Sequence, residues 1–268
     1  MKGKKDLKNS LKKLARDLGV SLFGVASVDR FEGAPPGHHP EDWLPTVKSI
    51  ISFGIQIPVY IHAYERLLKN SIWIQGDLRK EVLHDHFYCT LGYTVINRSL
   101  EDIGLRLTLK LENMGFGTIY FPATYSEEHK HIQERVPNRA GLISQRHAAV
   151  RAGLGEFGLN NIVVTPQYGS RIRFNTVLTE AELEPDPLLK SKACLGKGCS
   201  ICIKNCGGDA LKINEEVDWN AVWVDPISRT DQDLCRQKRK KMFCYGRCAR
   251  ICPINLPKPL MWRASELS

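Results

Sequence analysis

The chain has 268 residues, enough for one large or two moderate domains with a sizeable core. Its 43% hydrophobic and 25% charged residues are those of an ordinary globular protein and exclude a disordered or low-complexity chain. The net charge of +9 is uneven, because the residues from Lys190 onward hold 15 basic against 8 acidic side chains. No apolar run approaches membrane-spanning length, and the basic start MKGKKDLKNSLKK has no apolar signal stretch behind it, so a cytoplasmic protein without membrane contact is expected.

In chain order, Leu7, Leu11, Leu14, Ala15 and Leu18 recur at helical spacing, and Gly19 supplies a stop, so residues 5–18 are expected to form an amphipathic helix. Val20 to Val28 reads as a strand, the segment 31–42 with its three prolines as a loop, and Ser49 to Ile57 as a second strand. Residues 77–114 have a helical pattern, as two helices broken near Gly92, followed by a strand from Thr118 to Pro122. His84 and His86, two residues apart, fall on different faces of such a helix and make a poor metal pair, while Cys89 reads as a buried core thiol.

After a polar stretch over 126–138, Leu142 to Ala152 reads as a helix. Gly153-Leu-Gly155-Glu-Phe-Gly158 then spells G-x-G-x-x-G, but a helix precedes it and a strand, Ile162 to Pro166, follows. That order is the reverse of a dinucleotide-binding fingerprint. What the glycines permit is close approach of backbone to something flat or bulky. Pro166 to Ser170 turns the chain into a strand from Ile172 to Thr179, and these two strands are expected to pair as a hairpin.

Eight of the nine cysteines follow, as Cys194-x4-Cys199-x2-Cys202-x3-Cys206, a lone Cys235, and Cys244-x3-Cys248-x3-Cys252-Pro253. Two-cluster ferredoxins use C-x2-C-x2-C-x3-C-P runs in which the fourth cysteine of each run ligates the other cluster. Crossed in that way, Cys194, Cys199, Cys202 and Cys252 form one [4Fe-4S] site, and Cys206, Cys235, Cys244 and Cys248 the second. The x4 first gap, Gly207 in place of a proline and the x3 opening of the last run depart from the pattern. Structural zinc and a single cluster remain open, whereas a disulfide framework does not suit a chain with no secretory signal. The basic run Arg236 to Lys241 reads as a solvated loop, with a docking face for an acidic electron donor as the alternative.

The block RAGLGEFGLNNIVVTPQYGSRIRFNTVLTEAEL, from Arg151 to Leu183 and ahead of ferredoxin-type cysteines, resembles the epoxyqueuosine reductase and reductive dehalogenase superfamily. LARDLGVSLFGVASVDRF and LPTVKSIISFGI resemble the opening of epoxyqueuosine reductases. The resemblance implies an α+β chain. Residues 1–185 would form an α/β corrinoid-binding domain, similar to flavin-reductase or nitroreductase folds, and residues 186–268 a ferredoxin-like domain with two [4Fe-4S] clusters. It further implies base-off cobalamin, with flavin as the alternative, lined by Gly153, Gly155, Gly158, Asn160, Tyr168, Gly169 and Arg171. The acidic proton donor of epoxyqueuosine reductases would fall near Asn138-Arg139, where no carboxylate stands, and their tRNA-holding helical repeat has no counterpart within these residues. Reductive dehalogenases use a tyrosine with a basic neighbour as proton donor, and that side of the resemblance implies Tyr93 and Arg139 as the candidate catalytic pair. The activity implied is reductive removal of oxygen or halogen from a small organic substrate, fed by an external low-potential donor and not involving nucleic acid. The alternative is an electron-transfer or corrinoid-handling protein serving a partner.

Overall fold

A computed structural model describes residues 2–64, 76–124, 141–214, 216–241, 244 and 246–255. The chain divides into two compact units interleaved in sequence. One holds Met1–Ile55, Ile96–Leu154 and Arg173–Leu188; the other holds Gln56–Val95, Gly155–Ile172 and Leu189–Ser268. The contacts thus do not follow the contiguous cut after residue 185 that the sequence suggested. The glycine-rich block from Gly155 onward and the segment Gln56–Val95 group with the cysteine field.

The first unit is built on a four-stranded sheet in the order β1-β2-β6-β3, where β1 is Leu22–Ser27, β2 Ser49–Gln56, β3 Thr118–Tyr120 and β6 Ile172–Thr179. β1 pairs antiparallel with β2, and β3 with β6. The first six residues of β2, SIISFG, are all buried, which is why that strand is an apolar run without alternation. The opening helix, Lys2–Asp17, buries Leu11 and Ala15, and Gly19 ends it at a φ of +96° with its N–H bonded to the Arg16 carbonyl. Lys8 is 8% exposed, and its ammonium sits 2.7 Å from Asp186, whose other oxygen accepts from the Val25 N–H of β1. The helix Val95–Glu112 buries Leu100, Ile103, Leu107 and Leu111, spaced three and four apart. The helix Gln145–Arg151 crosses β1 so closely that a Cβ on Gly24 would lie 2.4 Å from the Ala152 carbonyl oxygen.

Three expectations change. The loop over 31–42 contains a single helical turn, Pro40–Trp43, which His39 and Asp42 cap reciprocally. The helix is not broken near Gly92: Gly76–Leu83 runs into a π-helical stretch, His84–Thr94, and on into Val95–Glu112. Gly92 serves packing there, since a Cβ would meet Ile61 and Ile57 within 3.3 Å. The expected hairpin is also re-partnered. The strand after the glycines shrinks to β5, Val163–Val164, and pairs with β4, Glu156–Phe157, while β6 joins the large sheet. The reason is a tight turn in which Gly158 N–H donates to the Ile162 carbonyl and Asn161 takes a φ of 57°.

Gly24→Ala should lower the unfolding free energy by about 1–3 kcal/mol through overpacking against the Ala152 carbonyl. Urea unfolding monitored by circular dichroism measures this, and an unchanged midpoint would show that the helix moves aside freely.

Candidate metal centre

The second unit holds the cysteine field. Cys194, Cys199, Cys202 and Cys252 line a single depression, together with Leu159, Asn160 and Val164 of the β4–β5 ribbon. Burial pushes the Cys202 thiol up to about 12, and the sulfurs of Cys194, Cys252 and Cys248 add to the rise. Burial pushes Cys252 up to about 11, with Cys194 and Cys199 as the sulfurs around it. Cys248 rises to about 12 through burial and then through Cys244, Cys206 and Cys235. Cys194, Cys199, Cys202 and Cys252 thus share one depression, while Cys206, Cys235 and Cys244 lie near enough to Cys248 to act on its thiol. All eight sulfurs are half-buried, and at Cys202, Cys248 and Cys252 burial favours the thiol until a cation takes the proton's place. This donor set, soft, crowded and poor in solvent, fits an iron–sulfur cluster in each group.

The loops that carry these sulfurs are shaped by left-handed backbone turns and by N–H donors. Ser200, between Cys199 and Cys202, takes a φ of 47°, and Gly196 a φ of 59°. The Ala210 N–H lies 3.3 Å from the Cys206 sulfur, the kind of contact that stabilises a ligating thiolate.

Two residues not singled out in the sequence hold the field in place. Glu156 on β4 is fully buried, and its carboxylate accepts from the N–H groups of Ala193 (2.5 Å), Cys194 (2.7 Å) and Trp223 (2.9 Å). Lys192, 3.8 Å from the same carboxylate, lies over the Trp223 ring and donates to the Ala221 carbonyl. The available signal was the single charged residue in the block GLGEFGLNNIVV. Asn255, three residues after Cys252, is 1% exposed; its carbonyl oxygen accepts from the Ser170 N–H and its amide donates to the carbonyls of Ala249 and Arg250. Its own backbone oxygen accepts from Arg171.

The residues assigned to the corrinoid are engaged with protein. A Cβ on Gly153 (φ +74°) would sit 2.0 Å from the Pro187 oxygen, one on Gly155 2.6 Å from the Val164 oxygen, and one on Gly169 2.5 Å from Asn255 Oδ1. One on Gly158 would sit 2.6 Å from Val164 Cγ2. Asn160 donates to the Cys248 carbonyl and accepts from the Ile162 N–H. Arg171, 4% exposed, donates to the backbone oxygens of Asn255 and Ile57 and to Gln56, with its guanidinium over the Tyr168 ring. The close approach these glycines allow is of protein to protein. Those positions pack against protein and do not form an open cradle for a flat ring. Tyr93 lies half-buried in the π-helical stretch, and Arg139 lies outside the described residues. Of the basic run, Arg236 and Gln237 begin on the helix Gln232–Lys241, and the side chains of 238–241 lie outside the description.

No protein-family model matches the chain. Over 277 aligned residues it is 32% identical to an epoxyqueuosine reductase of Staphylococcus aureus, a match covering 94% of this chain and 65% of the relative. It is 25% identical to the epoxyqueuosine reductase of Bacillus cereus, over 81% of this chain and 50% of that one. The sequence likeness is thus to epoxyqueuosine reductases and runs over most of this chain. The chain spans about two thirds or less of the length of these curated relatives. A solved reductive dehalogenase, described as B12-dependent, has the same fold, with a TM-score of 0.63 at 16% identity over 98% of this chain and 34% of that one. No helix among the described residues is long and apolar enough to cross a membrane.

Glu156→Ala would strand three buried N–H groups, at about 1–3 kcal/mol each, and should abolish metal retention by loosening the Cys194 loop. Iron analysis after desalting, beside chemical unfolding, reads both effects. A second expectation concerns His62, which is 1% exposed and held down to about 3 by burial, with the charges of Arg250 and Arg171 adding. Its folded value lies below the unfolded value of 6.5, so its contribution to stability is complete above pH 6.5 and is lost as the pH falls toward 3. Between about pH 6 and about pH 4.5, the wild type should lose about 1.4 kcal/mol per pH unit more than His62→Gln in urea titrations.

Proposed function

We propose that the chain is an iron–sulfur oxidoreductase of the superfamily it resembles. In this reading Cys194, Cys199, Cys202 and Cys252 hold one [4Fe-4S] cluster, and Cys206, Cys235, Cys244 and Cys248 hold the second. The observation that carries it is the assembly of the eight half-buried sulfurs into two groups, one of them around a common depression. Electrons from an external low-potential donor enter at the clusters and leave toward a substrate from which oxygen or halogen is removed. Kinship, rather than any contact described above, supports a corrinoid as the group that supplies the cobalt chemistry of that removal. Tyr93 and Arg139 are the candidate proton donor and its basic neighbour. Because the curated relatives are named for epoxyqueuosine, a tRNA-borne epoxide belongs among the substrates to be tried, and the expectation that nucleic acid is not a partner does not stand as an exclusion.

A second reading is favoured by the filled space beside Gly153, Gly155, Gly158 and Gly169. In it the chain passes electrons, or a corrinoid, to a partner protein and has no substrate of its own.

Anaerobic reconstitution with iron, sulfide and hydroxocobalamin, followed by desalting and metal analysis, separates the two. About eight irons and about one cobalt per chain with a base-off spectrum, and turnover of an epoxide or aryl halide with a chemical reductant, are expected of the enzyme. Iron without cobalt removes the corrinoid and leaves an electron carrier, with flavin the next ligand to add.

A further inference from the structure

The π-helical stretch His84–Thr94 creates a side-chain cluster that neither the cysteine field nor the proposed reaction uses. In an α-helix, residues five apart point about 140° away from each other. A π turn, bonded from residue i to i+5, stacks them instead. The stretch is held in that form by side chains as well as backbone: Thr90 Oγ1 donates to the Asp85 carbonyl and Thr94 Oγ1 to the Cys89 carbonyl, each five residues back, and the Val95 N–H donates to the Thr90 carbonyl. His84 and Cys89 therefore meet, with 3.0 Å between the imidazole Nε2 and the thiol sulfur. The ligand atoms of His84, Asp85 and Cys89 all lie within 4.8 Å of one another.

We propose that His84, Asp85 and Cys89 form a zinc site, separate from the eight clustered cysteines, with a fourth position open to water. The donor set of one imidazole nitrogen, one thiolate and one carboxylate oxygen is that of a borderline divalent cation, and zinc takes all three at about 2.0–2.3 Å. Tetrahedral zinc holds a nitrogen and a sulfur about 3.5 Å apart, so the pair need open by only about half an ångström. The far side of the imidazole is already arranged as a ligand requires. His84 is 1% exposed, its Nδ1 is 3.3 Å from the Tyr64 hydroxyl, and its ring stacks on Tyr88 with centroids 5.4 Å apart. The tautomer in which Nδ1–H donates to the Tyr64 hydroxyl leaves the Nε2 lone pair for a metal and orients the ring. Asp85 is exposed and Cys89 half-buried, which gives the cation an entry from solvent.

The test uses the full chain loaded with iron and sulfide, desalted, then titrated with zinc chloride alone. About one zinc per chain beyond the iron is expected, with a zinc-edge X-ray absorption shell of about one sulfur among nitrogen and oxygen neighbours. Cys89→Ser and the surface variant Asp85→Asn should each weaken zinc binding at least about tenfold, since loss of an outer partner alone typically costs about 10–100-fold. Zinc uptake unchanged in both variants, a shell of about four sulfurs, or no uptake by the wild type would overturn the site. A four-sulfur shell would place the zinc in the cysteine field and would count against the clusters instead, so failure of the two readings is told apart.

Discussion

A carboxylate with no water around it ties the cysteine-rich unit together. Glu156 is buried on a two-residue strand, and its oxygens are filled by three backbone N–H groups, two of them from the loop that opens the cysteine field and one from Trp223. Charge-assisted bonds of this kind are stronger than neutral ones and leave a large penalty when one partner is removed. The β4–β5 ribbon therefore acts as a post for the Cys194 loop. Asn255 does the corresponding work at the other end of the field, joining the turn after Cys252 to Ser170 and Arg171. Between these two anchors the sulfurs are held close to one another before any cation arrives, at the cost of raised thiol pKa values.

That cost explains the chemistry better than the spacing does. A thiol pushed to about 12 by burial and by its neighbours is a poor nucleophile and an inert surface group. The same crowding becomes favourable once a multivalent cluster replaces the protons, because every sulfur is then attracted to the same core. The basic excess after Lys190 acts in the same direction, since it offsets the negative charge that thiolate-bound clusters carry.

Much of this was legible in the sequence where the signal is local. The Cys-x2-Cys-x3-Cys run and the Cys-Pro end pointed to a shared metal field, and Cys194, Cys199, Cys202 and Cys252 line one depression. The first helix, the two leading strands and the helix before Gly153 appear where periodicity put them, within a few residues. What was not legible depended on partners far along the chain. β6 left its expected hairpin because the large sheet offered it two neighbours, and periodicity cannot report which strand pairs with which. The glycine block was read for approach to a ligand, whereas its φ values and contacts serve the turn at Asn161 and the carbonyls of Pro187 and Val164. Cys89 was read as a core thiol because a helix was taken to be an α-helix. The π turn, invisible to a 3.6-residue period, is what sets it beside His84.

The crossed pairing of the cysteine runs is the central claim, and paired substitutions test it most directly. Iron and Mössbauer analysis of reconstituted protein should show that Cys199→Ser with Cys252→Ser removes a single cluster and retains about four irons. Cys248→Ser with Cys252→Ser should instead remove both clusters and nearly all the iron. The reverse pattern, with the second pair retaining about four irons and the first pair losing nearly all, would contradict the account.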